Sequence, residues 1–225
     1  MSADIWAGVR ERVLALAKSP GVAEVFGFPR GGRVLEDPLT EAELADLERF
    51  CGARLPEEYR DFLLHVGAGG AGPAYGVFPV RRGDDGAWAW HGDGGNMTLP
   101  RRLAEPFGGR MTPEEVEALL ADQPDEESYE DVDAFDAAYE AWEERLLATL
   151  WSYDHTVGAV CLCDLGCAQR QWLAVSGPER GRMWDDARCD HMDLEPLGVT
   201  FAQWYLGWLE EAERTAGSVS PSATR

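Results

Sequence analysis

The sequence has little positive charge and no long apolar run. Against 20 Lys and Arg residues stand 41 Asp and Glu residues, which gives a formal net charge of -21. Nucleic acids and anionic membranes are bound through Lys and Arg that neutralise phosphates, so this balance argues against both as partners and fits a basic protein partner or simply high solubility. No stretch approaches a run of about 20 apolar residues, the length of a transmembrane helix.

The chain also lacks the features of a secreted protein. Asp4, Glu11 and several Arg interrupt the apolar pattern near the N-terminus, where a signal peptide would need an unbroken apolar core. The five cysteines are an odd number, whereas the disulfide frameworks of secreted domains use even numbers. These absences predict a cytoplasmic protein.

Motifs of catalysis are missing as well. There is no G-x-S-x-G nucleophile motif, and the Gly-rich run 67–72 lacks the Lys of a phosphate-binding loop. A zinc-binding enzyme is the weaker alternative, because thiolates and imidazoles are good zinc ligands. The spacings C-x-C, C-x3-C and C-x-H differ from the paired C-x2-C of structural zinc sites, so we predict no metal, no cofactor and no enzymatic activity. The zinc alternative would use Cys161, Cys163, Cys167, Cys189 and His191.

Helices are predicted near both ends of the chain. Hydrophobic residues make up 45% of it, with 9 Trp, 8 Phe and 6 Tyr, which is enough apolar surface for a globular core. An N-terminal helix is expected over 5–17. Thr40 and Glu43 form a capping box that begins a helix, and Pro56 begins the next one. A further capping box, at 200–203, precedes the last helix.

Strands are expected between these helices, where aromatic and branched residues alternate with turn signals. The predicted strands are 74–80, 87–90, 157–163, 171–175 and 181–184. We therefore predict a single α+β domain over residues 1–214, followed by a disordered tail at 215–225.

The acidic charge is concentrated in one predicted helical insertion, at about 111–151. Residues 111–147 hold 14 acids and a single base, Arg145. The stretch is either a solvated helix face or a binding surface for a basic partner. Tyr129 lies among acids, so we expect it to be a partner contact and not a core residue. The predicted partner-binding residues are Glu126, Glu127, Tyr129, Glu130, Asp131, Asp133, Asp84 and Asp85.

Several segments, taken in order, resemble the SMI1/KNR4 (SUKH) superfamily. The first are L-T-E-A-E-L at 39–44 and L-P-E-E-Y-R-D-F-L-L at 55–64, followed by the Gly-rich break at 67–72 and Tyr75-Gly76. The later segments are 164–167, 173–177, 181–184 and the aromatic helix from Phe201. The residues that we interpret as determinants of the fold are Leu55, Pro56, Tyr59, Phe62, Gly166, Gly177 and Trp184.

The resemblance implies an α+β fold, with a mainly antiparallel sheet packed by helices, and no shared catalytic residues. Bacterial members of the superfamily are immunity proteins that neutralise toxins, and fungal members are regulatory scaffolds. We therefore predict a non-catalytic protein-binding module, an immunity protein against a basic toxin domain such as a nuclease. The alternative is a regulatory or scaffold protein that binds endogenous partners.

Overall fold

The computed structural model describes residues 5–29 and 33–218. Over these residues it contains six α-helices and two antiparallel sheets, which confirms the predicted α+β class. The helices are α1 (Val9–Leu16), α2 (Glu41–Cys51), α3 (Glu57–His65), α4 (Pro113–Ala121), α5 (Val132–Leu150) and α6 (Phe201–Ser218). The strands are β1 (Val80–Arg82), β2 (Trp88–Trp90), β3 (Ala159–Gly166), β4 (Gln169–Ala174), β5 (Arg182–Asp186) and β6 (Leu194–Thr200).

The larger sheet has the strand order β3-β4-β5-β6, with every neighbouring pair antiparallel. Trp172 of β4 lies opposite both Cys161 of β3 and Trp184 of β5. The β1-β2 hairpin forms the smaller sheet. The free edge of β3 is partly covered, because the Tyr75 amide donates to the Asp164 carbonyl over 3.1 Å.

Aromatic side chains join the two ends of the chain to α3. Trp6, just before α1, meets the rings of Phe62 in α3 and Tyr205 in α6, with centroids 5.5 Å and 5.9 Å away. Phe62 also meets Phe201 at 5.3 Å and Tyr205 at 4.7 Å. Tyr59 completes this cluster. The apolar faces of α1, α3 and α6 therefore bury one another.

The residues that we interpreted as determinants of the fold occupy core and turn positions. Pro56 caps α3, and Gly166 and Gly177 have φ of +93° and +89°, a conformation that an L side chain rarely adopts. The buried members are Leu55, Pro56, Tyr59, Phe62 and Trp184.

Most element boundaries differ from the predicted ones by a few residues, and three features of the fold differ more than that. The segment 74–80 is no regular strand: only Val80 belongs to one, and Ala74 has φ of +51°. Strand β6 was not predicted. Helix α6 continues to Ser218, so 215–218 are helical and not a tail, while 219–225 lie outside the described residues.

Candidate protein-binding surface

Residues 111–151 form two helices joined by a turn, which we call the acidic hairpin. Its first helix, α4, begins with a capping box: the Glu115 amide donates to Thr112 Oγ1 over 3.2 Å, and the Thr112 amide donates to the Glu115 carboxylate over 2.6 Å. The second helix, α5, is capped by Asp131, whose carboxylate accepts from the Asp133 amide. Acids near helix N-termini also interact favourably with the helix dipole.

The acidic hairpin projects into solvent along most of its length. None of the described residues of α4 is buried, and of those in α5 only Trp142 and Leu150 are. The predicted contact residues Glu126, Glu127 and 129–131 are all exposed at its turn, as is Asp133 at the start of α5. The structure therefore brings the predicted residues of this segment together on one accessible end.

A row of aromatic rings stiffens the hairpin. Tyr129 packs edge-to-face on Phe135 at 5.8 Å, Phe135 lies 5.8 Å from Tyr139, and Tyr139 lies 5.3 Å from Trp142. Trp142 Nε1 donates to the Leu119 carbonyl of α4 over 2.8 Å, which fastens the two helices. Tyr129 remains 37% exposed, so it has an internal packing partner and still presents part of its ring to solvent.

Both ends of the hairpin are attached near β5 and β6. At the α4 end, the Met111 amide donates to Asp193 Oδ2 over 2.9 Å. At the α5 end, Arg188 donates to the Leu150 carbonyl over 2.9 Å and makes two bonds of 2.7 and 2.8 Å to the Asp186 carboxylate. Asp186 and Arg188 are both almost fully buried.

Hydrogen bonds around the buried Arg188–Asp186 pair favour the ionised carboxylate. Burial favours the neutral acid, but the hydrogen bonds and charge of Arg188, with a bond from Trp172, outweigh it and hold the pKa of Asp186 below its usual value. The guanidinium of Arg188 also lies 4.7 Å from the Trp151 ring. This pair fixes the base of α5 to the sheet.

The negative charge of the hairpin is uncompensated within the described chain. None of the 14 acids in 111–147 forms an ion pair with a described base. Arg145, the one base in this segment, donates to the Ala141 carbonyl instead. By contrast, acids elsewhere, such as Glu48 and Glu213, pair with arginines. The hairpin is therefore a concentrated source of negative potential.

A family model described as SMI1 / KNR4 family (SUKH-1) matches residues 38–168, more than half of the 225-residue chain. The chain belongs to this family. The matched range begins just before α2, runs through the acidic hairpin and ends at the β3-β4 turn. Comparison with curated proteins and with solved structures gave no match. Among the described helices of this SMI1/KNR4 protein, none combines the length and apolarity needed to cross a membrane.

Two of the predicted contact residues lie elsewhere on the SMI1/KNR4 protein. Asp84 and Asp85 occupy the exposed turn of the β1-β2 hairpin, where Asp85 accepts from the Ala87 amide over 3.0 Å. That hairpin is fastened to α2 by Trp88 Nε1, which donates to Asp46 over 3.0 Å. Within the described ranges, no hydrogen bond or ion pair connects this turn to the acidic hairpin.

The candidate zinc ligands do not assemble. Cys161 and Cys163 are fully buried in β3, and burial raises the pKa of both thiols, which disfavours the thiolate that zinc requires. Cys167 is exposed in the β3-β4 turn, Cys189 is half-buried and His191 is exposed. Over 5–29 and 33–218, no group of three or more His, Cys, Asp or Glu side chains is arranged to hold a metal ion.

Sequence reasoning missed the residues that hold the hairpin in place. Arg188 and Asp186 are two positions apart after a short strand, and nothing in their spacing predicts burial. The apolar pair Val116 and Leu120 was also overlooked, although its spacing of four residues places both side chains on one side of α4.

Proposed function

We propose that this SMI1/KNR4 protein is a non-catalytic, cytoplasmic inhibitor of the immunity type, which binds a basic toxin domain through the acidic hairpin. The observation that carries the proposal is the set of 14 acids without an ion-paired base inside the described chain. Toxins that cleave nucleic acid need cationic surfaces, because their substrate is a polyanion. An acidic hairpin is complementary to such a surface and competes with the substrate for it.

The charges and the aromatic side chains would contribute differently to binding. Exposed carboxylates at the hairpin turn steer a cationic partner and raise the association rate in a salt-dependent way. Rings such as Tyr129, next to Glu127 and Glu130, supply the apolar contact area that dominates affinity in most interfaces. The Arg188–Asp186 pair ties the end of α5 to the sheet, which limits the conformational freedom that the hairpin would lose on binding.

A charge-neutralising variant tests the proposal. The variant replaces four exposed hairpin acids, Glu126→Gln, Glu127→Gln, Glu130→Gln and Glu140→Gln. With a basic toxin encoded by a neighbouring gene, we expect the association rate constant at low salt to fall by about tenfold or more. The fall should shrink at high salt, because screening already removes the steering. Stopped-flow binding and inhibition of the toxin give the two readouts.

A matched control removes the same number of charges from elsewhere on the surface. Its four exposed acids are not ion-paired to a described base: Glu11, Glu24, Glu179 and Glu210, each replaced by Gln. We expect this control to bind at close to the original rate. The proposal fails if both variants lose the same fraction of the rate, or if no basic toxin of a neighbouring gene is inhibited at either salt concentration.

A further inference from the structure

Helix α4 has apolar side chains on two faces, and only one of them is used inside the molecule. One face contacts α5, where Trp142 donates to the Leu119 carbonyl. Val116 and Leu120, four residues apart, lie on another face, and Leu120 is 60% exposed. Apolar side chains that line up on a solvent-exposed helix face mark a binding surface more often than scattered ones do.

This second face forms the wall of an open groove of about 680 Å³. The groove lies between α4 and the start of β6, at the attached end of the acidic hairpin. The apolar residues that line it are Met111, Pro113, Val116, Leu120 and Ala121. The thioether of Met111 is flexible and polarisable, so the floor can adapt to side chains of different shape.

The polar edge of the groove is negative. Arg110 is ion-paired with Glu195, so that base is neutralised within the molecule. Asp193 accepts from the amides of Met111 and Leu194, and neither it nor Glu117 is ion-paired to a described base. Apolar lining residues with two carboxylates beside them that lack an ion-paired described base are complementary to an apolar side chain that has Lys or Arg next to it.

We propose that this groove holds an apolar side chain from an amphipathic helix of the basic partner, flanked by Lys or Arg that reach Glu117 and Asp193. The inference rests on the proposed function and adds a second contact site for the same partner, separate from the acidic residues at the hairpin turn. The carboxylates at the hairpin turn set the rate of encounter, while burial of an apolar side chain against Leu120 sets the lifetime of the complex.

Two synthetic helical peptides test the groove directly. One carries Leu along one face and Lys along the other, and the second has the same Lys residues with Ala in place of Leu. We expect the protein to bind the Leu peptide about tenfold more tightly than the Ala peptide, because one buried apolar side chain is worth at least that factor. Fluorescence titration at a fixed salt concentration measures the ratio of the two dissociation constants.

The decisive variant is Leu120→Gln, which keeps a good helix former at an exposed position and so leaves the fold intact. We expect it to remove the preference for the Leu peptide. The matched control is Phe26→Gln, because Phe26 is also an exposed apolar side chain, at 56%, but lies outside the groove. This control should keep the preference.

Different results would overturn the groove proposal and the proposed function. If Leu120→Gln keeps the Leu preference, or if Phe26→Gln loses it equally, the groove is not the anchor site, even when toxin inhibition still depends on the hairpin acids. If the preference depends on Leu120 but no basic toxin is inhibited, the groove stands as a site for a basic amphipathic helix and the toxin assignment falls.

Discussion

Replacing Arg188 with Ala lowers the free energy of unfolding by about 3–5 kcal/mol, because it leaves a buried carboxylate without its partner. Arg188 and Asp186 have side chains that are each 1% exposed, and the arginine also satisfies the Leu150 carbonyl at the end of α5. The substitution therefore removes a charge pair and one helix-capping bond together. Chemical denaturation at neutral pH measures the loss.

The control for this prediction is an exposed ion pair of the same geometry. Arg12 makes two bonds, of 2.9 and 2.7 Å, to the carboxylate of Glu213, and the two side chains are 41% and 38% exposed. Solvent-screened pairs contribute under about 1 kcal/mol, so Arg12→Ala should change stability much less than Arg188→Ala. Equal losses of stability in Arg12→Ala and Arg188→Ala would show that burial does not increase the contribution of the Arg188–Asp186 pair.

The pH dependence of the stability difference between the original protein and Arg188→Ala shows whether the Arg188–Asp186 pair stabilises the fold. In the original protein the pKa of Asp186 is lowered, so its stabilisation is present above the unfolded-state pKa of about 3.9 and is lost as pH falls through the folded-state value. In Arg188→Ala the arginine charge and its side-chain hydrogen bonds are gone, while burial and the bonds from Trp172 and from the backbone amide of residue 188 remain. The pKa of Asp186 is therefore higher than in the original protein, and protonation on acidification relieves the unpaired charge. The stability gap between the two proteins should therefore narrow below about pH 4.

Truncating Phe62 to Ala should cost about 3–5 kcal/mol, the range for a buried Phe in a close-packed core. Its side chain is 0% exposed and its ring meets those of Trp6, Phe201 and Tyr205. Removing it opens a cavity where the N-terminal helix, α3 and α6 converge. The denaturation midpoint should fall, and any binding measured on the remaining folded fraction should be unchanged.

Phe26→Ala is the companion measurement. Phe26 is 56% exposed and contacts Tyr75 at 4.8 Å on the surface, so its truncation creates no buried cavity. We expect a small change in stability. If Phe62→Ala is tolerated as well as Phe26→Ala, then Phe62 does not belong to the core. If Phe62→Ala weakens partner binding while the protein stays folded, the residue is a contact and not a fold determinant.

Local signals in the sequence predicted much of the secondary structure. The capping boxes at Thr40 and Thr200 precede α2 and α6, since the Thr hydroxyl and the Glu or Gln side chain three positions later accept from amides of the first turn that have no partner within the helix. The aromatic spacing in α6 predicted its buried face around Tyr205. The signature at 55–64 and the Gly-rich break at 67–72 lie inside the range 38–168 that the family model matches, whereas the segments 173–177, 181–184 and the helix from Phe201 lie beyond it.

Other features depend on the tertiary structure and have no local signal. Strand β6 contains Pro196 and Gly198, which argue against a strand, but β6 is the last strand of the sheet, and an edge strand tolerates a residue without an amide. The segment 74–80 has the composition of a strand, yet Ala74 has φ of +51° and only Val80 enters a regular one. Burial of Arg188 likewise arises from elements far apart in the chain.

The uncompensated charge of the acidic hairpin links folding to association. Its 14 acids repel one another in the free protein, so they oppose the compact state that displays them. Dissolved ions relieve that repulsion, and so do the bases of a bound partner. Added salt should therefore favour the isolated folded chain while it weakens the complex, and a cationic ligand should stabilise this segment more than the rest of the molecule.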